Sequence, residues 1–555
     1  MSTAPPVIVG FLGGLGEIGR NMATIEVDGR IALVDVGVFF PDPEHLGVDL
    51  IIPDWTVLRE RADDVEAIFL THGHMDHIGA IGHFLTDFPG TPVYGTRLTL
   101  AFVEAILDEW PDVETPELIE LIPGTTVEHD PFVVEVIQVT HSIPDGVAFA
   151  FRTPHGIVMH TGDFKLDDTP VDGNSTDLAH FARLGDEGVD LLLADSTNAD
   201  QPGHVPTELV VGRAVRDELE KHPDGMVVVT SFASHVHRIQ QVLDAAVAVG
   251  RRPVFVGRSM VRNMGIAEEL GYLDFDPSLE VALKDVPNHD PSDLIIICTG
   301  SQGEPFSALS LMAAGDHKQI DIGEGDLIIM ASSLIPGNER AIYRSINGLS
   351  KRGARVVHKG TAQVHVSGHA NRDDLLTFHN LVEPEYFVPV HGEYRHLVAH
   401  ADIAVATGII PDHVLICEDG DTVVLEDGVA RRGDQIRAGM VYIDGLLPDV
   451  GPSVLRDRGR LANDGVCVAI VQIDPHAGKV VGEVVLLQQG VVFSEEEQPI
   501  LDAAATRVDA ELAGLGGNKF TDSGAVSRHV VQALGRYWRQ EIGRRPKILP
   551  VVLEV

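Results

Sequence analysis

The sequence predicts an α/β protein. One α/β unit is interrupted by a second, parallel α/β unit, and a small α+β tail comes after them. Three observations carry this reading. Apolar runs of strand length repeatedly end in a residue capable of chemistry: Asp35 after 31–34, His72 and His74 after 67–70, His141 after 132–139, Asp163 after 156–159, Asp195 after 189–193 and His391 after 386–390. Between the last two of these, strands and helices alternate, and the strand ends carry Thr, Ser and Gly instead. Beyond residue 448, strands at 465–473, 479–487 and 547–553 accompany helical stretches at 495–513 and 522–541.

The 555 residues suffice for two to four domains with sizeable cores. Lys and Arg number 41 against 83 Asp and Glu, a net charge of -42. That acidity argues against general affinity for polyanions, so a nucleic acid would need a local basic groove or metal ions. Cys298, Cys417 and Cys467 lie far apart in apolar runs and read as buried thiols of a reducing compartment. Residues 1–6 lack the basic and apolar parts of a signal peptide, and no apolar run approaches the ~20 residues that span a bilayer. A soluble cytoplasmic protein without a membrane partner is expected.

In chain order, 7–12 is an apolar strand leading into Gly14-Leu15-Gly16-Glu17-Ile18-Gly19. This matches the dinucleotide fingerprint in form, with Asp35 downstream where a ribose-binding acid would stand. The fingerprint needs a helix after its glycines. These glycines lead instead to two β-rich runs around Asp28-Gly29, a hairpin, so a nucleotide site is rejected. Next comes the densest chemistry of the chain, Thr71-His72-Gly73-His74-Met75-Asp76-His77. Imidazole and carboxylate are ordinary ligands of zinc and of other divalent metals. His72 and His74 sit two apart, so extended backbone points both to one side, while Asp76 and His77 come after a bend and can face a second ion. Ligands gather at strand carboxyl ends in α/β sheets, so the residues at the six strand ends above are expected to form one composite site. His45, His83, His129, His155 and His160 fall outside that pattern and read as structural or surface residues.

From 207 to 364, strand ends at Thr230-Ser231, Gly257-Arg258-Ser259, Cys298-Thr299-Gly300-Ser301 and Ala331-Ser332-Ser333 alternate with helical stretches such as 234–249 and 261–270. Backbone amides and hydroxyls at such turns suit phosphate. Arg251, Arg252, Arg258, Arg262, Lys351, Arg352, Arg355 and Lys359 are candidates for a polyanion-facing surface. Then His365-Val366-Ser367-Gly368-His369 precedes a helix from Asp373, and Val390-His391-Gly392 returns a histidine to a strand end. Metal-type chemistry therefore brackets the insertion. The segment 414–441 reads as a closing β region, and 449–452 as a linker. The expected domains are 1–206 and 365–448 for the interrupted unit, 207–364 for the insertion, and 449–555 for linker and assembly tail.

The set His72-x-His74-x-Asp76-His77 with His141, Asp163 and His391 resembles the metallo-β-lactamase metal set. Asp195, His369 and His391 with the insertion resemble the β-CASP nuclease branch. Leu12 to Met22 and His141-Ser142-Ile143-Pro144-Asp145 resemble bacterial ribonuclease J, over essentially the whole chain; Gly146 stands where that family has a small polar residue.

The resemblance implies a metallo-β-lactamase αββα sandwich with an inserted parallel β-CASP domain and a C-terminal α+β domain. It implies two zinc ions, with manganese or magnesium as alternatives. One would be held by His72, His74 and His141, the other by Asp76, His77 and His391, with Asp163 bridging and Asp35 supporting. His369 would be general acid, oriented by Asp195, with Asp76 also in the catalytic set. Ser231, Ser234, His235, Ser301 and His365, Val366, Ser367, Gly368 and His369 would hold RNA phosphates. The implied activity is 5′→3′ exonuclease and endonuclease cleavage in RNA maturation and decay, with a hydroxide activated by two metals and 5′-phosphate products. The implied partners are single-stranded RNA with a 5′ monophosphate, a second or fourth copy of the chain through the tail, and RNA-degradation complexes. The alternatives are a DNA-processing nuclease of the same branch, a thioesterase or lactonase on the same metal fold, and a non-catalytic RNA-binding subunit.

Overall fold

The computed structural model describes residues 4–42, 44–333, 338–445, 450–492, 497–515, 520 and 522–555. Chain contacts divide it into two compact units, 1–40 with 51–440, and 41–50 with 441–555.

The larger unit begins as a sandwich. Val7–Gly13, Met22–Val27 and Arg30–Val34 form an antiparallel meander, with Asp28 and Gly29 both at positive φ in the hairpin turn. Val65–Phe69, Val93–Gly95 and Leu118–Glu120 extend this sheet in parallel. Thr422–Glu426 and Val429–Arg432 close its other edge against Val7–Gly13, which accounts for the closing β region. The second sheet runs Tyr386–Val390, Leu191–Asp195, Gly156–His160, Val147–Thr153, Phe132–Gln138 and Thr126–His129. Side chains from both sheets share one core, with Phe69 stacked on Tyr94 and edge-on to Phe149 and Phe151. Helices Leu178–Glu187, Arg372–Val382 and Tyr394–Ala406 cover the outer face of the second sheet. Arg97–Leu107 packs against Val93–Gly95 and Leu118–Glu120 of the first, so the layers are αββα.

The insertion is a five-stranded, wholly parallel sheet in the order Arg252–Val256, Leu294–Cys298, Val227–Thr230, Leu327–Met330, Arg355–Val357. Its strands are runs of Val, Ile and Leu with almost every residue buried, as a sheet covered on both faces requires. The helices here begin near the expected places, at Val236–Ala248 and Arg258–Glu269.

Part of the expected basic surface is taken up within the chain. Arg251 is buried and donates to the carbonyls of Gly225, Leu294, His222 and Pro223. Arg252 donates to the carbonyls of Leu279 and Ser278. Arg262 pairs with Glu109, Arg352 with Asp321 and Arg355 with Glu218. An arginine at a strand start is well placed to satisfy neighbouring loop carbonyls, which composition alone does not reveal.

In the smaller unit, Val466–Asp474 pairs with Val485–Gln489 and Lys547–Glu554 and packs on helices Glu497–Ala513 and Ser523–Tyr537. The single strand expected at 479–487 is two pieces, Lys479–Val480 and Val485–Gln489, with Gly482 at positive φ between them. Of the expected linker at 449–452, Asp449 lies outside the described residues, and Pro452 opens helix Pro452–Asp464. Glu495, at the start of the helix expected over 495–513, also lies outside them.

Candidate metal centre

The strand ends of the two sheets meet at one rim. Val65–Phe69 delivers the backbone to Thr71, and extended φ and ψ at His74 carry the chain into the short helix Met75–Ile78. His72 Nε2 and His74 Nδ1 thus stand 3.0 Å apart, and His141 Nε2 lies 3.2 Å from His74 Nδ1. Asp163 Oδ2 lies 3.7 Å from both His72 Nε2 and His141 Nε2. On its other side the same oxygen is 3.2 Å from His77 Nε2 and 3.7 Å from His391 Nε2. Asp76 Oδ2 completes this second group, 3.6 Å from His77 Nε2 and 3.4 Å from His391 Nε2. Each group keeps its donor atoms within 4.8 Å of one another.

The outward ring nitrogens are anchored. His77 Nδ1 donates to Asp35 Oδ2 at 2.8 Å. Asp35 also accepts from Thr71 N and Thr71 Oγ1, both at 2.8 Å. With its proton given to Asp35, Thr71 Oγ1 accepts from His72 Nδ1 at 3.0 Å. His141 Nδ1 donates to the Gly368 carbonyl at 2.7 Å. His391 Nδ1 lies 2.6 Å from Thr197 Oγ1, which donates to Asp195 Oδ1 at 2.8 Å. Four rings thereby turn Nε2 inward, the orientation a metal-ligating imidazole needs.

Two backbone features support this packing. Asp35 and His391 are held at φ 64° and 52°, in the left-handed region that costs a non-glycine residue energy. Gly368 is required by space: a Cβ there would stand 2.7 Å from the His141 ring.

The donor set fits divalent metal. Three nitrogen lone pairs converge at hydrogen-bond distance, and the buried Asp163 Oδ1 has no hydrogen-bond partner. Charge divides the centre in two. Burial holds His72 and His141 well below the usual imidazole range and His74 down at about 4. Burial opposes charge at His391 also, but Asp163, Asp195 and Asp76 outweigh it and raise the ring to about 10. His77 is raised in the same way by Asp163, Asp76 and Asp35.

Beside the two groups, His369 Nδ1 hydrogen-bonds Asp195 Oδ2 at 2.8 Å and lies 3.9 Å from Asp163 Oδ2. Burial lowers and Asp195 raises its affinity for a proton, and the net shift is upward. Asp195 also accepts from Thr197 N and Oγ1, so its carboxylate is saturated within the protein.

The phosphate-binding candidates divide. Ser231 Oγ and His235 Nδ1 are buried without hydrogen-bond partners, and the His235 ring lies 6.2 Å from that of His74 and 6.5 Å from that of His365. Ser234 immediately precedes His235. Ser301 is at the adjacent strand end, its Oγ 3.4 Å from the Gln302 amide. In 365–369, His365 Nδ1 and the Val366 carbonyl accept from Arg238, and the Gly368 carbonyl accepts from His141. Ser367 Oγ accepts from Asn198 Nδ2 and His369 N, keeping its own proton to donate.

Sequence reasoning missed Thr71, Thr197 and Asn198, whose hydrogen bonds anchor the site, and Asn21, whose Nδ2 lies 3.1 Å from His77 Nε2. It also missed the use of the rejected glycine run. Leu15–Gly16 pairs in parallel with Gly392–Glu393 just after His391, and Gly13, Gly14 and Asn21 line the cavity beside His77, Asp163 and His391.

The chain is 43% identical to ribonuclease J of Mycolicibacterium smegmatis over 100% of this chain and 99% of that one. This chain belongs to the ribonuclease J family. Ribonuclease J of Mycobacterium tuberculosis is 44% identical over 98% of this chain and 96% of that protein, and ribonuclease J2 of Bacillus subtilis 36% over 98% of each. Family models match in series: the metallo-beta-lactamase superfamily at 15–200, the ribonuclease J beta-CASP domain at 224–349, a Zn-dependent metallo-hydrolase RNA specificity domain at 353–415 and the ribonuclease J C-terminal domain at 453–555. A crystal structure of a protein of unknown function from Enterococcus faecalis shares the fold, with a TM-score of 0.54 at 18% identity over 76% of this chain and 100% of that one. Membership makes the chain a metal-dependent hydrolase with a divalent cofactor, and no described helix is long and apolar enough to cross a membrane.

Two outcomes are expected. Asp35→Asn leaves His77 with a weaker partner and should lower metal affinity about 10- to 100-fold, read by titration against a competing chelator; unchanged affinity refutes the anchoring role. Metal must also displace protons from His77 and His391. Uptake measured in two buffers by calorimetry should release protons near neutral pH, and affinity should fall as pH falls. Uptake independent of pH contradicts the charge division.

Proposed function

We propose that the chain hydrolyses RNA phosphodiesters, both 5′→3′ from a 5′-monophosphate end and internally, leaving 5′-phosphate and 3′-hydroxyl products. The observation that carries this is the His369–Asp195 pair at 2.8 Å, 3.9 Å from the carboxylate shared by both ligand groups. His72, His74, His141 and Asp163 would hold one zinc, manganese or magnesium ion, and Asp76, His77, His391 and Asp163 a second. Such ions polarise a phosphoryl oxygen and make water a competent nucleophile at neutral pH. Asp163 would be common to both groups, since its Oδ2 lies within 3.7 Å of His72, His77, His141 and His391 ring nitrogens. His369, kept protonated by Asp195, gives its Nε2 proton to the departing ribose 3′ oxygen, while Nδ1 stays on Asp195.

End recognition is supported by the unpartnered Ser231 Oγ and His235 Nδ1 near His74, with Ser234, His365, Ser367 and the 365–369 backbone beside them. Uncharged donors of this kind suit a phosphate in a chain of net charge -42, where attraction has to be local. A homo-oligomer assembles through the C-terminal sheet. Leu487, Val468 and Leu549 form one cross-strand row on its open face, and Val485, Ile470 and Val551 the next. Leu487 is 56% and Val485 48% exposed, too much adjacent apolar surface to leave in water.

His369→Gln should lower kcat on RNA about 10²- to 10⁴-fold with metal content unchanged; activity near wild type excludes the proton-donor role. End-labelled RNA should be degraded faster with a 5′ monophosphate than with a 5′ hydroxyl, and a chelator should abolish both reactions. Leu487→Asp with Val551→Asp should shift the sedimenting species to monomer. A wild-type chain already monomeric at micromolar concentration rules out assembly through this face.

A further inference from the structure

The chain crosses into the insertion near Glu208 and returns near His365, and a single buried side chain grips both crossings. Arg238, on helix Val236–Ala248, is 1% exposed. Its guanidinium has five donor hydrogens, and each has an acceptor. Nε reaches Glu208 Oε1 and Nη2 reaches Glu208 Oε2, both at 2.8 Å. Nη2 also reaches the Val366 carbonyl at 3.2 Å. Nη1 reaches the Ala331 carbonyl at 2.7 Å and His365 Nδ1 at 2.7 Å. Glu208 N in turn donates to Asp167 Oδ2 at 3.0 Å, in the strand-end loop four residues beyond Asp163.

The chemistry of the last Arg238 contact is one-sided. Guanidinium donates and never accepts, so His365 Nδ1 carries a lone pair and the ring proton sits on Nε2. Protonating Nδ1 would set a cation against the guanidinium. Three residues further on, the Gly368 carbonyl accepts from His141, and His369 holds Asp195. The segment 365–369 is therefore tied to Arg238 at one end and to the metal centre at the other.

We propose that Arg238 is a positioning residue for 5′-end recognition. It holds His365 as the Nε2–H tautomer and sets the reach from the phosphate pocket to the scissile bond. This rests on the end-recognition reading above. Arg238 touches neither RNA nor metal; it acts through His365 and Val366.

The test compares kcat/KM on one oligoribonucleotide bearing a 5′ monophosphate or a 5′ hydroxyl. Removing Arg238 alone strands a buried carboxylate, so the key variant is Arg238→Met with Glu208→Leu, which removes both charges. It should melt cooperatively, bind metal as wild type does, and lose the monophosphate preference about tenfold or more. Glu208→Gln keeps the donor to His365 and should retain the preference even where it lowers the melting temperature. A folded double variant with wild-type preference overturns the proposal, as does a Glu208→Gln chain that loses preference in step with stability. Should the double variant fail to fold, ¹⁵N spectra of the full-length wild-type chain, with His365 assigned by its own replacement, decide: an Nε2–H signature is expected, and Nδ1–H overturns the proposal. Equal rates of the wild type on both RNA ends would overturn the end-recognition reading itself, and this proposal with it.

Discussion

An imidazole offers a metal one lone pair only when its other nitrogen is occupied as a donor, and at this rim that condition governs the surrounding structure. Asp35 serves His77 directly and His72 through Thr71. Thr197 serves His391, and the Gly368 carbonyl serves His141. These oxygens come from the first sheet, the second sheet and the segment returning from the insertion. Each layer therefore contributes an anchor as well as a ligand, and the sandwich has to close before all the rings face inward. The strained φ of Asp35 and His391 falls where a strand end must turn to deliver such a group.

The same constraint separates what was legible in the sequence from what was not. Ligand types at strand ends are visible locally, because a strand of period two points its last side chains at a rim and the chemistry of His and Asp is distinctive. The convergence of His72, His74, Asp76, His77, His141, Asp163 and His391 is thus written in short segments. Thr71, Thr197 and Asn198 look like ordinary turn residues. Their importance lies in contacts across the fold, such as Asn198 with Ser367, 169 positions apart. The basic residues show the reverse error. Arg251 suggested a polyanion-facing surface, yet buried loop carbonyls take it up, since a carbonyl without a donor is costly in the interior, while Arg355 stays half exposed and reaches the buried Glu218. The glycine run at 13–19 leads into the hairpin of Met22–Val27 and Arg30–Val34, as its sequence reads. Its use, as the partner of the strand just after His391, needed the tertiary structure.

Charge makes a related point. A chain with a net charge of -42 has little general attraction for RNA, so on the proposed function discrimination would rest on a few uncharged donors near the ligand groups and on the cations they would hold. Occupancy of that centre would then bear on substrate affinity as well as on rate.

The edge strand Tyr386–Val390 joins the second sheet beside Leu191–Asp195 and brings His391 to Asp76, 315 residues away in sequence. During synthesis, the strands bearing every other ligand leave the ribosome long before this one. The cluster of Asp76, His77, Asp163 and His391 is therefore incomplete in a nascent chain until most of its length has been translated.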